Sequence, residues 1–417
     1  MLQRSFSRIR WKSLAQPWHE VDWLLMVATI ALVIIGGLAI RSTEIGLDLN
    51  DWEMHATTAL VGLGLALAIA RWRYDPLVHW YWIIYGLTNA VLLLVLLIGV
   101  EANGAQRWLL IGSFNVQPSD LAKLGVIVTL AGILHRRTAK TVPVILQAVA
   151  ITIPPMLLIM KQPDLGTALV FMAITIGMLY WGNANLGWLV LLGSPLVSTI
   201  LFVVYLPIWF AWSALMMVVG WRTIAWRWHG AVGAGVINLL SGGLGKFLWN
   251  FLAPYQQDRI ILFVNPDKDP LGGGYHLIQS RIAIGAGGMF GQGLAQGSQT
   301  QLNFIPEQHT DFIFTVIGEE MGFIGCMVVV FLFWLVCLRL LIIAQNARDN
   351  FGSLIAFGVL SMIVFQVLVN IGMTIGLAPV TGIALPWISY GRSSLLTNFI
   401  AIGLVESIYN FRHRLKF

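Results

Sequence analysis

Long apolar runs separated by short polar connections recur along the whole chain, and they restrict what it can fold into. The first run, residues 21–40, is long enough to cross the hydrocarbon core of a bilayer as a helix. Spans are predicted over residues 21–40, 56–70, 77–100, 119–134, 142–160, 167–182, 187–205, 207–220, 230–252, 312–338, 353–375 and 394–410. Only 11% of the residues are charged, against about a quarter in soluble domains. The sequence therefore predicts an all-α polytopic membrane protein with about 10–12 transmembrane helices.

The polar connections are too short to form a separate soluble domain, so residues 1–417 are expected to form a single transmembrane domain. The longest connection, residues 253–311, is predicted to be a large extracytoplasmic loop. The two cysteines, Cys326 and Cys337, lie in one apolar segment and have no metal-ligand spacing, so neither a disulfide framework nor a metal site is expected.

Basic residues are unevenly distributed between the two sides of the membrane that this threading defines. If the N-terminus is cytoplasmic, the inner side receives Arg4, Arg8, Arg10, Lys12, Arg71, Arg73, Arg136, Arg137, Lys140, Arg222, Arg227, Arg339, Arg348, Arg412, Arg414 and Lys416. Because Lys and Arg concentrate in cytoplasmic loops, both termini are expected in the cytoplasm. The net charge of +6 is then explained by membrane orientation, and no nucleic-acid partner is expected.

Four polar clusters fall on the opposite, outer side. They contain Arg107, Trp108, Asp120 and Lys123; Gln162 and Asp164; Asp269 with His309, Thr310 and Asp311; and Ser393 with Ser394. Asp120 and Lys123 are three residues apart at a helix start and can pair. Helix caps and tight turns would also explain many of these residues. Their common position nevertheless indicates an outward-opening cavity whose cations suit a phosphate-bearing ligand, whose walls suit a lipid tail, and whose carboxylates include a candidate general base.

The motifs, in their order, resemble the SEDS family of bacterial cell-shape and division proteins, and its RodA branch more than its FtsW branch. The matching segments are Gly104 to Trp108, Gln117 to Lys123, Gln162 to Thr167, Asp269 to His276, Pro306 to Phe314, Gly318 to Gly322, and Asn370 to Ser394. This resemblance covers almost the whole chain. It implies a ten-helix pattern, on which residues 187–228 would be an extra transmembrane hairpin.

The resemblance also implies an activity and a location. The implied activity is that of a peptidoglycan glycosyltransferase of the bacterial cytoplasmic (inner) membrane, which polymerises lipid II on the outer side. Asp269 matches the family's essential aspartate, and our hypothesis is that it acts as the general base. The implied partners are a class B penicillin-binding protein, which supplies the transpeptidase, and other membrane proteins of the elongation complex. No cofactor is certain, and a divalent cation (Mg or Mn) is left open.

Three other functions fit parts of the same pattern. A flippase for lipid II would need the cationic cavity but not an external base. An ion-coupled transporter would use Glu319 and Asp164 in broken helices, although no pair of matching discontinuous segments is evident. A structural scaffold would not need outward charges, which are costly near lipid.

Overall fold

The computed structural model describes residues 21–45, 50–102, 105–112, 114–224, 226–249, 254–264, 268–269 and 274–412. These residues form a bundle of helices. The helices of its first part are α1 (Trp23–Thr43), α2 (Asp51–Ala70), α3 (Leu77–Ile98), α4 (Pro118–Arg136), α5 (Val142–Lys161), α6 (Leu165–Trp181), α7 (Leu186–Val204), α8 (Leu206–Thr223) and α9 (Arg227–Trp249). They are followed by α10 (Pro254–Val264), α11 (Tyr275–Gly287), α12 (Ser298–Gln301), α13 (Ile313–Asn346), α14 (Asn350–Thr374) and α15 (Arg392–Asn410).

Each of the predicted spans coincides with one of the long helices. Within the described residues, seven helices are long and apolar enough to cross a membrane: α1, α2, α3, α4, α5, α13 and α14. Two shorter apolar helices are α6 and the part of α7 over Leu186–Phe202. The prediction of an all-α polytopic membrane protein is confirmed.

Hydrogen bonds between helix ends define two ends of the bundle. At the far end, Arg339 on α13 pairs with Asp22 before α1, and Asn410 on α15 donates to the carbonyl of Ala70 on α2. At the opposite end, the Gln117 N–H preceding α4 donates to the hydroxyl of Ser393 on α15. A cavity opens at this end, which we call the cavity end. The four predicted polar clusters all lie at the cavity end.

Helix α4 is the centre of the bundle. Of its most apolar stretch, 89% is buried, against 17% for its neighbour α3, and α4 packs on α3, α5, α6 and α14. Small residues on α4 allow this close packing. A Cβ on Gly132, for example, would lie 2.7 Å from the ring of Tyr81 on α3. Because α4 is surrounded on all sides, the polar residues of its first turn are buried as well.

The connections at the cavity end are more structured than the sequence predicted. A three-stranded antiparallel sheet joins α3 to α4 and consists of β1 (Val100–Ala102), β2 (Ala105–Ile111) and β3 (Phe114–Val116). Residues 253–311, predicted as a loop, contain α10, α11 and α12. Parts of this segment, residues 253, 265–267 and 270–273, lie outside the described residues.

The predicted hairpin over residues 187–228 corresponds to α7 and α8, which run antiparallel on either side of Tyr205. The indole N–H of Trp209 on α8 donates to the hydroxyl of Ser198 on α7 over 2.9 Å. Asn238 on α9 bonds twice to α7, since its side-chain amide donates to the Ser194 hydroxyl and its backbone carbonyl accepts from the Ser198 hydroxyl. Such hydrogen bonds hold helices together in lipid. That the hairpin is an addition to a ten-helix pattern stays a prediction.

Candidate functional site

A cavity of about 260 Å³ opens at the cavity end between α10, α11 and the start of α13. Its polar lining consists of Asp258, Arg259, His276, Glu307 and Asp311, and its apolar lining of Leu262, Phe263, Leu277, Phe312, Ala378 and Val380. Charged groups thus occupy a pocket with apolar walls, as expected of a site that binds an amphipathic ligand.

Asp311 is the residue at which the predicted clusters meet. A Cβ placed on Gly382 would lie 3.4 Å from Oδ2 of Asp311 and 3.9 Å from Nη1 of Arg259, so both charged groups face this glycine. Burial, together with the nearby carboxylate of Glu307, raises the pKa of Asp311 to about 6, against the opposing charge of Arg259. The charges of Asp164 and Arg107 also act on Asp311. The cavity and the second cluster are therefore electrostatically connected.

The second cluster is held by hydrogen bonds between α4, α6 and the sheet. The Gln117 side chain donates to Asp164 Oδ2 over 3.2 Å, and Asp164 also caps α6 through the N–H and hydroxyl of Thr167. Arg107 on β2 donates to the backbone carbonyls of Gln162 and Pro163. Asp164 is thus the N-cap of α6, and Arg107 lies against the turn that precedes α6.

Asp120 and Lys123 form the predicted ion pair in the first turn of α4, with Nζ of Lys123 2.7 Å from Oδ1 of Asp120. Both residues are buried, with exposed fractions of 5% and 3%. Burying two charges is costly unless they are paired. The positive charge of Lys123 is therefore balanced inside the protein.

The remaining predicted residues surround the same end. Asp269 is exposed between α10 and α11, and its carbonyl accepts the N–H of Gly274, which lines the cavity. His309 accepts the Tyr390 N–H through its carbonyl, and the two rings lie 5.8 Å apart. The Thr310 hydroxyl donates to Glu307, and the Gln162 amide donates to the Leu92 carbonyl. Trp108 on β2 and Ser394 on α15 are half-buried.

Several buried polar atoms around the cavity have no hydrogen-bond partner within the described part of the chain. They are Nδ1 of His276, Oδ1 of Asn370 and Oγ1 of Thr381. Asn370 is close to the cavity because its amide donates to the backbone carbonyl of Asp311 over 2.9 Å. Buried polar groups in folded proteins are usually paired. These atoms can pair with water or with polar groups of a ligand.

Four polar residues that line the cavity were not assigned by the sequence analysis: Asp258, Arg259, His276 and Glu307. Each lies in the segment predicted as a loop, where charge density was visible but the partners of each charge were not. Burial and the charge of Arg259 lower the pKa of His276, and its ring stacks on Phe312. Among the described residues, no group of three or more His, Cys, Asp or Glu side chains could hold a divalent cation.

The fold and the site define a polytopic membrane protein with a charged cavity at one end of its helix bundle. The sequence profile of the FtsW, RodA and SpoVE family of cell cycle proteins matches residues 21–223 and 207–414. The chain therefore belongs to this family, the SEDS family, and is most similar to its RodA members.

Individual relatives align over nearly the full length. The chain is 34% identical to peptidoglycan glycosyltransferase RodA of Treponema pallidum, covering 93% of this chain and 97% of the relative. It is 35% identical to peptidoglycan glycosyltransferase MrdB of Escherichia coli K12, covering 96% of each. A solved chain from a study of how a peptidoglycan synthase complex coordinates polymerization and crosslinking is 31% identical, with a TM-score of 0.71, covering 94% of this chain and 99% of that one.

Proposed function

We propose that the chain is a peptidoglycan glycosyltransferase that polymerises lipid II into β-1,4-linked glycan strands during cell elongation. The observation that carries the proposal is the charged, apolar-walled cavity beside Asp269. It suits a sugar pyrophosphate linked to a lipid, and the relatives in T. pallidum and E. coli bear the name of this activity.

In the proposed reaction, Asp269 takes the proton from the 4-hydroxyl of the acceptor's GlcNAc. The hydroxyl oxygen attacks the anomeric carbon of the donor sugar, and a new C–O bond forms as the bond from that carbon to the pyrophosphate breaks. Undecaprenyl pyrophosphate leaves with the electron pair. Because attack and departure occur on opposite faces, the α linkage becomes β. Asp269 is exposed, and its backbone carbonyl accepts the N–H of Gly274, which lines the cavity.

The negative charge that develops on the leaving group calls for preorganised cations. We propose Arg259 for this role, since it lines the cavity and its charge reaches Asp311 and His276. The substrate-binding residues proposed from the sequence stay proposals: Arg107, Trp108, Asp120, Lys123, Gln162, Asp164, His309, Thr310, Asp311, Ser393 and Ser394. Of these, Asp311 lines the cavity itself, and the hydrogen-bonded residues Asp164 and Arg107 lie close enough to act on it.

We further propose that the cavity end faces the outside of the cytoplasmic membrane and that both termini are cytoplasmic, as the distribution of Lys and Arg favours. A class B penicillin-binding protein would then crosslink the strands, together with elongation-complex membrane proteins. The similarity to a chain of a peptidoglycan synthase complex supports this partnership.

The purified chain in nanodiscs is expected to convert labelled lipid II into glycan strands, with and without a penicillin-binding partner. Strand length is measured by gel electrophoresis after muramidase and mock treatment. A flippase would give the opposite pattern: no strands from any preparation, and lipid II crossing a vesicle bilayer. That result would contradict the proposed function.

Replacing Arg259 with glutamine is expected to lower kcat/KM for polymerisation by about 10²-fold, because an oriented charge is lost where negative charge develops. Arg259→Lys should retain more activity than Arg259→Gln, since it keeps the charge. The matched control is Arg281→Gln on α11, an exposed arginine at the same end that does not line the cavity. Equal activity of Arg259→Gln and wild type, at unchanged melting temperature, would remove Arg259 from the site.

A further inference from the structure

Helix α13 is broken nine residues after it begins. Gly322 has φ 67 and ψ −165, which lies outside the helical region and in a part of conformational space that favours glycine. A Cβ at this position would lie 2.3 Å from the backbone nitrogen of Gly291. Another stretch of backbone therefore occupies the space beside the break.

That backbone belongs to residues 288–301, which we call the insert. The carbonyls of Glu319 and Glu320, freed by the break, accept the N–H groups of Gln292 and Gly293. In return, the N–H groups of Phe323 and Ile324 donate to the carbonyls of Gly288 and Met289 over 2.9 and 3.2 Å. Irregular backbone near lipid must be satisfied within the protein, and these four bonds satisfy it.

Side chains fix the other half of the insert to the same point. The carboxylate of Glu319 accepts the N–H groups of Gln299 and Thr300 over 2.7 and 3.0 Å, and the Thr300 hydroxyl as well. Glu319, which the sequence left open as a coupling residue for ion transport, thus holds the insert in place. Backbone and side-chain hydrogen bonds consequently attach the insert to α13.

The depth of the insert follows from contacts between α13 and α1. Arg339 on α13 bonds to Asp22 at the start of α1, and Glu320 bonds to Ser42 at its end. These contacts bracket α1, whose 21 residues extend about 31 Å, close to the hydrocarbon thickness of about 30 Å. The break and the insert therefore lie at one boundary of the hydrocarbon layer, on the cavity end.

Large apolar side chains are exposed at this boundary of the hydrocarbon layer. Within the insert, Phe290 is 80% and Met289 58% exposed, and Phe323 on α13, directly beside them, is 54% exposed. Exposure of such a patch to water is unfavourable. The patch is continuous with the apolar surface that α13 presents along its membrane-spanning part. We propose that Met289 and Phe290 insert into the interfacial layer of the bilayer and that bilayer lipid covers this patch.

Contact between the insert and lipid would also affect the position of the cavity. The insert connects α11, which follows Asp269, to the segment that carries His309 and Asp311. An anchor in the lipid would therefore hold the cavity at a fixed height above the membrane. This inference rests on packing and exposure, and it does not depend on the proposed reaction.

The test measures the depth of the insert in nanodiscs. A background with Cys326→Ala and Cys337→Ala receives Phe290→Cys, which is labelled with an environment-sensitive fluorophore. Lipids brominated near the headgroup are expected to quench this label more than lipids brominated near the chain ends, and aqueous iodide should quench it little. The control is Gln296→Cys, an exposed polar position of the same insert, which iodide should quench and brominated lipid should not.

Because the Phe290 side chain is mostly exposed, the labelled variant is expected to keep the wild-type melting temperature. Quenching of the Phe290 label by iodide and not by brominated lipid would overturn the proposal. So would protection from iodide that appears only when a protein partner is added, since a protein and not lipid would then cover the patch.

Discussion

Replacing Asp269 with asparagine is expected to lower lipid II polymerisation by about 10²–10⁴-fold, the usual cost of removing a general base. Asparagine has nearly the same shape but cannot accept the proton of the acceptor hydroxyl. Asp269 is exposed, and asparagine keeps its size. The substitution should therefore leave the fold unchanged, and the loss should appear in kcat.

The measurement is single-turnover polymerisation of labelled lipid II by purified variants of matched melting temperature. Asp258→Asn provides the matched control, because Asp258 is also an exposed carboxylate and it lines the cavity itself. If negative charge near the cavity were all that mattered, both variants would lose activity equally. Wild-type rates from Asp269→Asn would exclude Asp269 as the base, while polymerisation by the wild type would still support the proposed function.

The membrane-spanning helices could be predicted from the sequence because lipid imposes a simple rule: a span must be apolar over its whole length. The same pattern also located α7 and α8 as two helices, although Tyr205 alone separates them. The Asp120–Lys123 pair could also be predicted, since residues three apart on a helix share a face.

The architecture of the cavity could not be predicted in the same way. Helices α10 and α11 are short and flanked by glycine and proline, so local sequence favoured a loop. Arg259 and Asp311 are 52 positions apart and meet only because α10 and the start of α13 pack around Gly382. Such contacts depend on tertiary structure, which hydropathy and motif spacing do not specify.

The buried ion pair in α4 is expected to respond strongly to single substitutions. Asp120→Leu or Lys123→Met alone leaves one charge without its partner in the centre of the bundle, which should cost about 3–5 kcal/mol. Replacing both residues removes both charges, and the free energy of unfolding should recover most of this loss. Thermal unfolding of the two single variants and the double variant in the same detergent measures the coupling. Additive losses in the double variant would contradict the ion pair.

The double variant also separates stability from binding. Lys123 was proposed to contact the substrate, yet its charge is balanced by Asp120 and its side chain is 4% exposed. We expect a substrate phosphate to draw Lys123 from this pair. The double variant should then melt like the wild type and still fail to polymerise lipid II. Wild-type activity in the double variant would instead show that the pair only stabilises α4, and the positive charge that faces the substrate would then come from the cavity, where Arg259 lies.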